Sequence, residues 1–441
     1  MFLLYSFLYT ISFVIMSPLF LFRRKKYASG FKQRLGNIPE LKQDERAVVW
    51  IHCVSVGETN AARSLVDEII EKYPHFRIVI STTTRTGHDL ANKLFSDQAD
   101  RIFYFPFDWR FAVRKSLRRI NPKVILVFET EIWLNFFREA YKGGARVLIV
   151  NGRLSEKSVK RYSWIQNTMK RVLNYIDLAL MQDHKSAKRM IQLGIRSSKV
   201  KVTGNMKFDQ VVGESESDLS TYLKERFGIS EVAPLVVAAS THSPEEKIIL
   251  DAFKEVWKKS SEQLPRLLIA PRHPERFDEV EALIRKTGFD WVRRTEEESG
   301  RDKVAEVILL DSIGELRDVY PMAEIVFMGG SLIPHGGQSF LEPAINVKPI
   351  FTGFYTMNFD EIARKFVEHE ALIQLPELKD EELAAELIRT LEDLLKNKNK
   401  RDQLGKRAFN LMIENSGATE KTIEFLHPFL KSKAEKIKTI K

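Results

Sequence analysis

Apolar side chains fall into two kinds of run along this chain. The first is a single unbroken stretch: residues 1–22 carry no charged side chain and are mostly Phe, Leu, Ile, Val and Tyr. A helix of about 20 such residues is long enough to cross the ~30 Å hydrocarbon core of a bilayer. Pro18 near its end interrupts or kinks it, and Arg23, Arg24, Lys25 and Lys26 follow at once. A cleavable secretory signal carries its positive charge before the apolar core. The reversed order predicts a signal anchor with the body of the chain on the cytoplasmic side. A helix lying in the membrane surface fits the same residues, because Pro18 shortens the clean span.

The second kind is short, rich in Val and Ile, and separated by longer amphipathic stretches. One series comprises Val48–Val54, Arg77–Ser81, Ile102–Phe105, Val124–Phe128, Val147–Val150, Leu178–Met181 and Val200–Thr203. Continuous apolar runs predict strands buried on both faces. Their alternation with helical stretches predicts parallel sheets flanked by helices. The pattern pauses over residues 209–232, which carry Gly213 and several Ser and Glu. A second series follows: Leu235–Ala239, Leu267–Ala270, Phe289–Val292, Val307–Leu310, Ile325–Met328, Pro349–Phe351 and Leu372–Leu375. Each series is the size of one doubly wound domain, in which ligands bind beyond the C-terminal ends of the strands. The predicted division is an anchor at 1–22, a first domain at 23–212 and a second at 213–441.

Length and composition agree with this division. A chain of 441 residues, 44% hydrophobic and 29% charged, is that of a folded protein of about two domains. The formal charge of +10 points to a polyanionic partner: nucleic acid, an acidic membrane or a phosphorylated substrate. The single cysteine, Cys53, excludes an internal disulfide and any Cys-rich metal site, and its apolar surroundings suit a buried thiol.

Candidate chemistry lies where the strands end. Glu58 sits in Ser55-Val56-Gly57-Glu58-Thr59, at a strand-to-helix turn. A carboxylate there can act as a general base on a hydroxyl, although the helix dipole alone also favours Glu at such a place. Arg272, His273 and Arg276 follow the strand at Leu267–Ala270. They suit a phosphate or carboxylate, or a solvated loop with surface ion pairs. Gly329-Gly330-Ser331 and His335-Gly336-Gly337-Gln338-Ser339 follow the strand at Ile325–Met328, and Glu342 stands one turn into the next helix. Glycines let backbone N–H groups approach a phosphate, and a carboxylate there can hold a ribose. Any tight turn can need glycines as well. No P-loop, no G-x-G-x-x-G after the first strand, no H-E-x-x-H and no clustered His/Cys spacing occur, so metal and cofactor are both expected to be none.

Taken in order, these motifs resemble the 3-deoxy-D-manno-octulosonic acid (Kdo) transferases of lipopolysaccharide synthesis. The resemblance runs through Phe31-Lys32-Gln33-Arg34-Leu35-Gly36, Ser55-Val56-Gly57-Glu58, Thr82-Thr83-Thr84-Arg85-Thr86-Gly87, Glu129-Thr130-Glu131-Ile132-Trp133, Asn151-Gly152-Arg153-Leu154-Ser155 and Thr203-Gly204-Asn205-Met206-Lys207-Phe208-Asp209. It continues at Ala239-Ser240-Thr241-His242, Pro271-Arg272-His273-Pro274-Glu275-Arg276, Asp311-Ser312-Ile313-Gly314-Glu315-Leu316 and the block Gly329–Ala344. It implies an α/β chain of GT-B fold, with two Rossmann-like doubly wound domains facing a cleft behind an N-terminal membrane anchor helix. CMP-Kdo would be the donor, a lipid A precursor (lipid IVA) the acceptor, and the cytoplasmic face of the inner membrane the location, on a single-pass or monotopic anchor.

Glu58 matches the family's catalytic base. Ser55, Gly57, Thr83, Glu129, Glu131, Asn205 and Lys207 fall on the acceptor side. His242, Arg272, His273, Gly314, Glu315, Leu316, Gly330, Ser331, Gly337, Gln338, Ser339 and Glu342 fall on the donor side. The implied reaction is inverting, with Arg272, a helix start and the backbone N–H groups near Gly330–Ser331 or Gly337 balancing the leaving CMP. Two motifs depart from the family: Gln338-Ser339 stands where His-Asn is usual, and Leu134 where Pro is usual. Two other readings remain open: a GT-B enzyme using a UDP-sugar on another membrane lipid, and a non-catalytic membrane-tethered binding protein. A nucleic-acid binder is the least favoured reading and no nucleic-acid partner is expected, because no aromatic–basic module accompanies the charge.

Overall fold

A computed structural model describes residues 2–22, 29–41, 44–211, 217–259 and 264–431. The basic cluster Arg23–Lys26 and the centre of the expected linker, 212–216, lie outside the described residues. The chain divides into two compact units, Met1–Gln210 with Asn415–Lys441, and Val211–Glu414.

Each series of predicted strands forms its own parallel sheet. In the first unit these are β1 (Ala47–Cys53), β2 (Phe76–Thr82), β3 (Arg101–Tyr104), β4 (Pro122–Phe128), β5 (Arg146–Gly152), β6 (Leu178–Met181) and β7 (Val200–Val202), in the order β3-β2-β1-β4-β5-β6-β7. Alternate side chains of a strand point to opposite faces. Val48 and Trp50 accordingly join one core, with Phe103, Ile125 and Val127. Val49, Ile51 and Cys53 join the other, with Ile78, Ile80 and Leu126. Both faces are covered, which is why the runs read as continuously apolar. Cys53 is the buried thiol expected, and burial raises its pKa well above the ordinary value.

The second sheet holds β8 (Leu235–Thr241), β9 (Arg266–Pro271), β10 (Trp291–Arg293), β11 (Val307–Leu309), β12 (Ile325–Met328), β13 (Ile350–Thr352) and β14 (Ile373–Gln374). Its order is β10-β11-β9-β8-β12-β13-β14, so β11 lies between β9 and β10. Periodicity predicts a strand and not its place in the sheet, and this insertion was not legible.

The domain boundary differs from the predicted one at its far end. The helix Ala418–Leu430 returns to the first unit, where Ala418, Ile423, Leu426 and Leu430 enter the same core as Val49 and Ile51. Asp209, just after β7, fixes its start: the carboxylate accepts from Gly417 N at 2.7 Å and from Thr419 N and Oγ1 at 2.6 Å each. This is an N-terminal cap supplied from a distant part of the sequence.

Residues Phe2–Phe22 form one helix, docked by one face. Asn135 Nδ2 donates to Ser6 Oγ at 3.0 Å, Trp109 Nε1 to Thr10 Oγ1 at 3.0 Å and Asp108 N to the Tyr9 hydroxyl at 3.3 Å. Phe13 packs edge-on to Trp109 at 4.7 Å. Leu3, Leu4, Phe7, Leu8, Val14 and Ile15 are left exposed. Among the described residues no helix is long and apolar enough to cross a membrane. The single-pass form of the expected anchor is therefore unsupported, and Ser6, Tyr9 and Thr10 turn one side of the helix to the protein.

Asp108 organises this docking site. Fully buried, it accepts from Asn135 N at 3.0 Å and Phe136 N at 2.8 Å, and burial raises its pKa to about 6. Truncation leaves two buried donors without a partner, at roughly 1–3 kcal/mol each. Asp108→Ala should lower unfolding free energy by about 2 kcal/mol or more in urea titrations.

Candidate active site

In the first unit the predicted carboxylates converge. After β1, Val54 and Ser55 lead into the short helix Val56–Ala61, and Glu58 in its first turn folds back on them. Glu58 Oε2 accepts from Val54 N at 2.8 Å and Oε1 from Ser55 Oγ at 3.0 Å. Thr83 N and Thr84 N both donate to Val54 O, at 3.3 and 3.1 Å, which ties the threonine loop after β2 to the same turn. Arg34, buried over the Tyr104 ring, donates from Nη2 to Thr83 O at 2.6 Å. The basic segment before β1 thus braces this loop. Gly57 is exposed beside Glu58.

Glu58 is only 6% exposed, and its pKa is pushed up to about 8. Burial is the main cause, followed by the negative charge of Glu129; the Val54 N–H and Ser55 hydroxyl pull it down, and Glu131 adds a smaller push upward. Glu131 is itself raised, by burial first and Glu129 second. Lys207 brings the counter-charge: its Nζ lies 3.9 Å from Glu129 Oε1. Lys207 stands on the turn Met206–Val211, where Asn205 Oδ1 accepts from its N–H at 3.1 Å. Glu129 follows β4 with φ +53°. Such a backbone costs an L residue ~1–2 kcal/mol, and strain of this kind gathers at functional sites.

In the second unit the glycine loop is built differently from expectation. Glu245, the first residue of the helix Glu245–Lys258, is fully buried. Its Oε2 accepts from His242 N at 2.9 Å and Gly330 N at 2.6 Å, and its Oε1 from Ser331 N and Leu332 N at 2.9 Å each. Gly337 N donates to Gly330 O at 2.7 Å. The N–H groups of Gly330, Ser331 and Gly337 are therefore already bonded and do not face a leaving phosphate. A buried carboxylate needs several donors to remain in the interior, and it has taken those the loop offers. Glu245 was missed in the sequence, although its place three residues after His242 has the spacing of a capping box.

Cations and imidazoles are left for an anion. Arg276 is neutralised by Glu246 at 2.6 Å and Glu279 at 2.9 Å. Arg272 and His273 are exposed at the end of β9. The His242 ring is buried and lies 5.3 Å from the His273 ring and 4.0 Å from the His335 ring. His335 is the third imidazole of this group, which in the sequence reads with His242 and His273 as phosphate or substrate contacts better than as metal ligands. Gln338 and Ser339 are half-buried, with Gln338 Nε2 over Gly330, and Glu342 is half-buried in the helix Leu341–Ile345. Glu315 is tied to Arg294 at 2.9 Å and to Ser312 Oγ at 2.7 Å, while Gly314 is exposed and Leu316 opens the following short helix. Among the described residues no group of three or more His, Cys, Asp or Glu is placed to hold a metal ion.

Two outcomes follow from these carboxylates. Glu245→Ala strands four buried donors and should lower stability by at least about 3 kcal/mol in denaturant titration. Glu58 titrates near about 4.3 when unfolded and about 8 when folded. The folded state holds the extra proton between these values, so this contribution is full below the lower one and is lost as pH rises through the upper. The melting temperature of Glu58→Gln minus that of the wild type should accordingly grow from pH 5 to pH 9, as read by calorimetry; a constant difference would refute the raised pKa.

A family-level sequence model described as 3-Deoxy-D-manno-octulosonic-acid transferase (kdotransferase) matches residues 29–210. The chain is 33% identical to a 3-deoxy-D-manno-octulosonic acid transferase of Haemophilus influenzae over 439 residues, 97% of this chain and 99% of that one. It is 28% identical to a transferase of the same name from Chlamydia trachomatis, covering 91% of this chain and 90% of that one. Among solved structures, the UDP-GlcNAc 2-epimerase of Neisseria meningitidis superposes with a TM-score of 0.57 at 15% identity, over 86% of this chain and 99% of that one, a likeness of fold alone. With two Rossmann-like units in tandem and a relative at this identity matched along its whole length, the chain belongs to the Kdo transferase family and is a glycosyltransferase.

Proposed function

We propose that this enzyme transfers Kdo from CMP-Kdo to a lipid A precursor, lipid IVA, in lipopolysaccharide synthesis. The observation that carries the reading is the environment of Glu58: a buried carboxylate with two hydrogen-bond donors and a pKa of about 8, beside Glu129, Glu131 and Lys207. A carboxylate whose basicity is raised by burial and like charge is matched to proton abstraction near neutral pH. In the proposed reaction Glu58 takes the proton from a glucosamine hydroxyl of the acceptor. That oxygen attacks the anomeric carbon of Kdo with inversion, and the bond to the phosphate oxygen breaks, its electron pair leaving with CMP. The second unit holds the nucleotide, with Arg272 countering the charge that develops on the phosphate.

The exposed apolar face of the helix Phe2–Phe22 supports attachment to the cytoplasmic face of the inner membrane, with the helix lying in the surface. Leu3, Leu4, Phe7, Leu8, Val14 and Ile15 enter the acyl region, and the polar side of the helix stays on the protein. An acceptor that carries phosphates and acyl chains is met at that surface, and the net charge of +10 favours it.

The test is incubation of purified enzyme with tetraacylated lipid A precursor and CMP-Kdo, or with UDP-sugars, followed by mass spectrometry of the acceptor. Whole Kdo increments from CMP-Kdo alone, lost by about 10³-fold or more in Glu58→Ala, are expected. The kcat/KM of the wild type should rise with pH to a limb near 8, where the base ionises. Transfer from a UDP-sugar but not from CMP-Kdo would overturn the donor assignment, and full activity in Glu58→Ala would overturn the role of the base.

A further inference from the structure

His242 is 6% exposed, yet both of its ring nitrogens are buried without a hydrogen-bond partner. Imidazole always carries a donor, and in the neutral form an acceptor as well. Leaving both unpaired in the interior is costly. The groups around the ring explain the vacancy. His273 approaches edge-on from the loop after β9, and His335 covers the ring from the loop after β12. From the helix Glu245–Lys258 come two carboxylates, each already occupied: Glu245 by four backbone N–H groups and Glu246 by Arg276. Glu275 stands 3.9 Å from His273 Nδ1 and is exposed. Burial, then His335, then His273 hold the His242 pKa down, to about 4, against a smaller upward pull from the Ser240 backbone and Glu246. The three rings are not placed to share a metal ion.

His335 is held in this position and does not drift on a loose loop. Asn358 Nδ2 donates to His335 O at 3.2 Å, and Asn358 N donates to Gly336 O at 2.9 Å. Gly336 has φ +105°, and a Cβ there would stand 2.6 Å from Asn358 Nδ2. His335 stands two residues before Gly337, and Gln338 follows the paired glycines.

We propose that His335 completes a three-imidazole anion subsite with His242 and His273, that this subsite takes the phosphodiester of the donor nucleotide, and that binding there is coupled to proton uptake. The inference rests on the reading of the second unit as a CMP-sugar site. Burial and the two neighbouring rings hold His242 neutral in the empty cluster. A bound anion reverses the balance by accepting hydrogen bonds from the charged rings. His335 is then a specificity-determining residue. It requires an anion at this place, and it makes donor affinity fall as pH rises through the imidazole range.

The probe is the methyl ester of cytidine 5′-monophosphate, a phosphodiester whose single charge does not titrate between pH 5.5 and 8. It is titrated calorimetrically into the full-length protein, in two buffers of different ionisation heat, with cytidine as control. For the wild type, affinity should fall about tenfold from pH 5.5 to 7.5, with proton uptake on binding and no such trend for cytidine. His335→Asn should flatten the profile to less than about twofold. His335→Arg, permanently charged, should bind tightly and without pH dependence. A pH-independent wild type, or a His335→Asn variant that keeps the wild-type profile, overturns the proposal. Binding of the uridine ester with this same profile, and not of the cytidine ester, would leave the subsite standing and remove the donor reading. Binding of neither ester at any pH would overturn both.

Discussion

Each unit depends on a glutamate that reaches back from the first turn of a helix to the strand end before it. Glu58 and Glu245 share the geometry: both follow the first strand of their sheet, and both accept from a residue three positions earlier. What differs is how far each is satisfied. Glu245 takes four backbone N–H groups and becomes a structural knot that fixes the turn after β8 to the loop after β12. Glu58 has one backbone N–H and one hydroxyl, with Glu129 pressing on its charge. Burial raises the pKa of both, and the four N–H groups on Glu245 pull against that rise where Glu58 has only two donors and a like charge beside it. One local motif is therefore a fastener in one unit and, in the proposed reaction, the base in the other.

Much of this was legible in the chain. The runs of Val and Ile predicted every strand, because a strand covered on both faces has no polar side to hide. Glu58 was legible from its place directly after a strand, whereas Glu129, Glu131 and Lys207 came from the resemblance to the family. The order of β11 and β10 was not legible, since hydrophobic pattern carries no information about neighbours in a sheet. Nor was the occupancy of the glycine loop. Gly330 and Ser331 have the composition of a phosphate cradle, but composition cannot say which buried acceptor reaches the N–H groups first. His335 was legible as a phosphate or substrate contact, but its packing against the His242 ring, far from it in sequence, was not.

The N-terminal segment shows the same limit from another side. Its composition gives an apolar helix, yet the partners of Ser6, Tyr9 and Thr10 lie near positions 108 to 135. Those contacts turn a candidate span into a two-faced element, polar toward the protein and apolar outward. Three hydroxyls make those contacts, and a hydropathy average does not single them out.

The return of the helix Ala418–Leu430 to the first unit has a consequence for how the molecule is made. The first core lacks Ile423, Leu426 and Leu430 until the whole of the second unit has been synthesised. During translation the second unit can close while the first still waits with an open seam of apolar side chains. Assembly thus runs from the inside of the sequence outward, against the usual order in which the N-terminal domain finishes first. The intermediate that most needs protection from aggregation is the nearly complete chain, not the short nascent one.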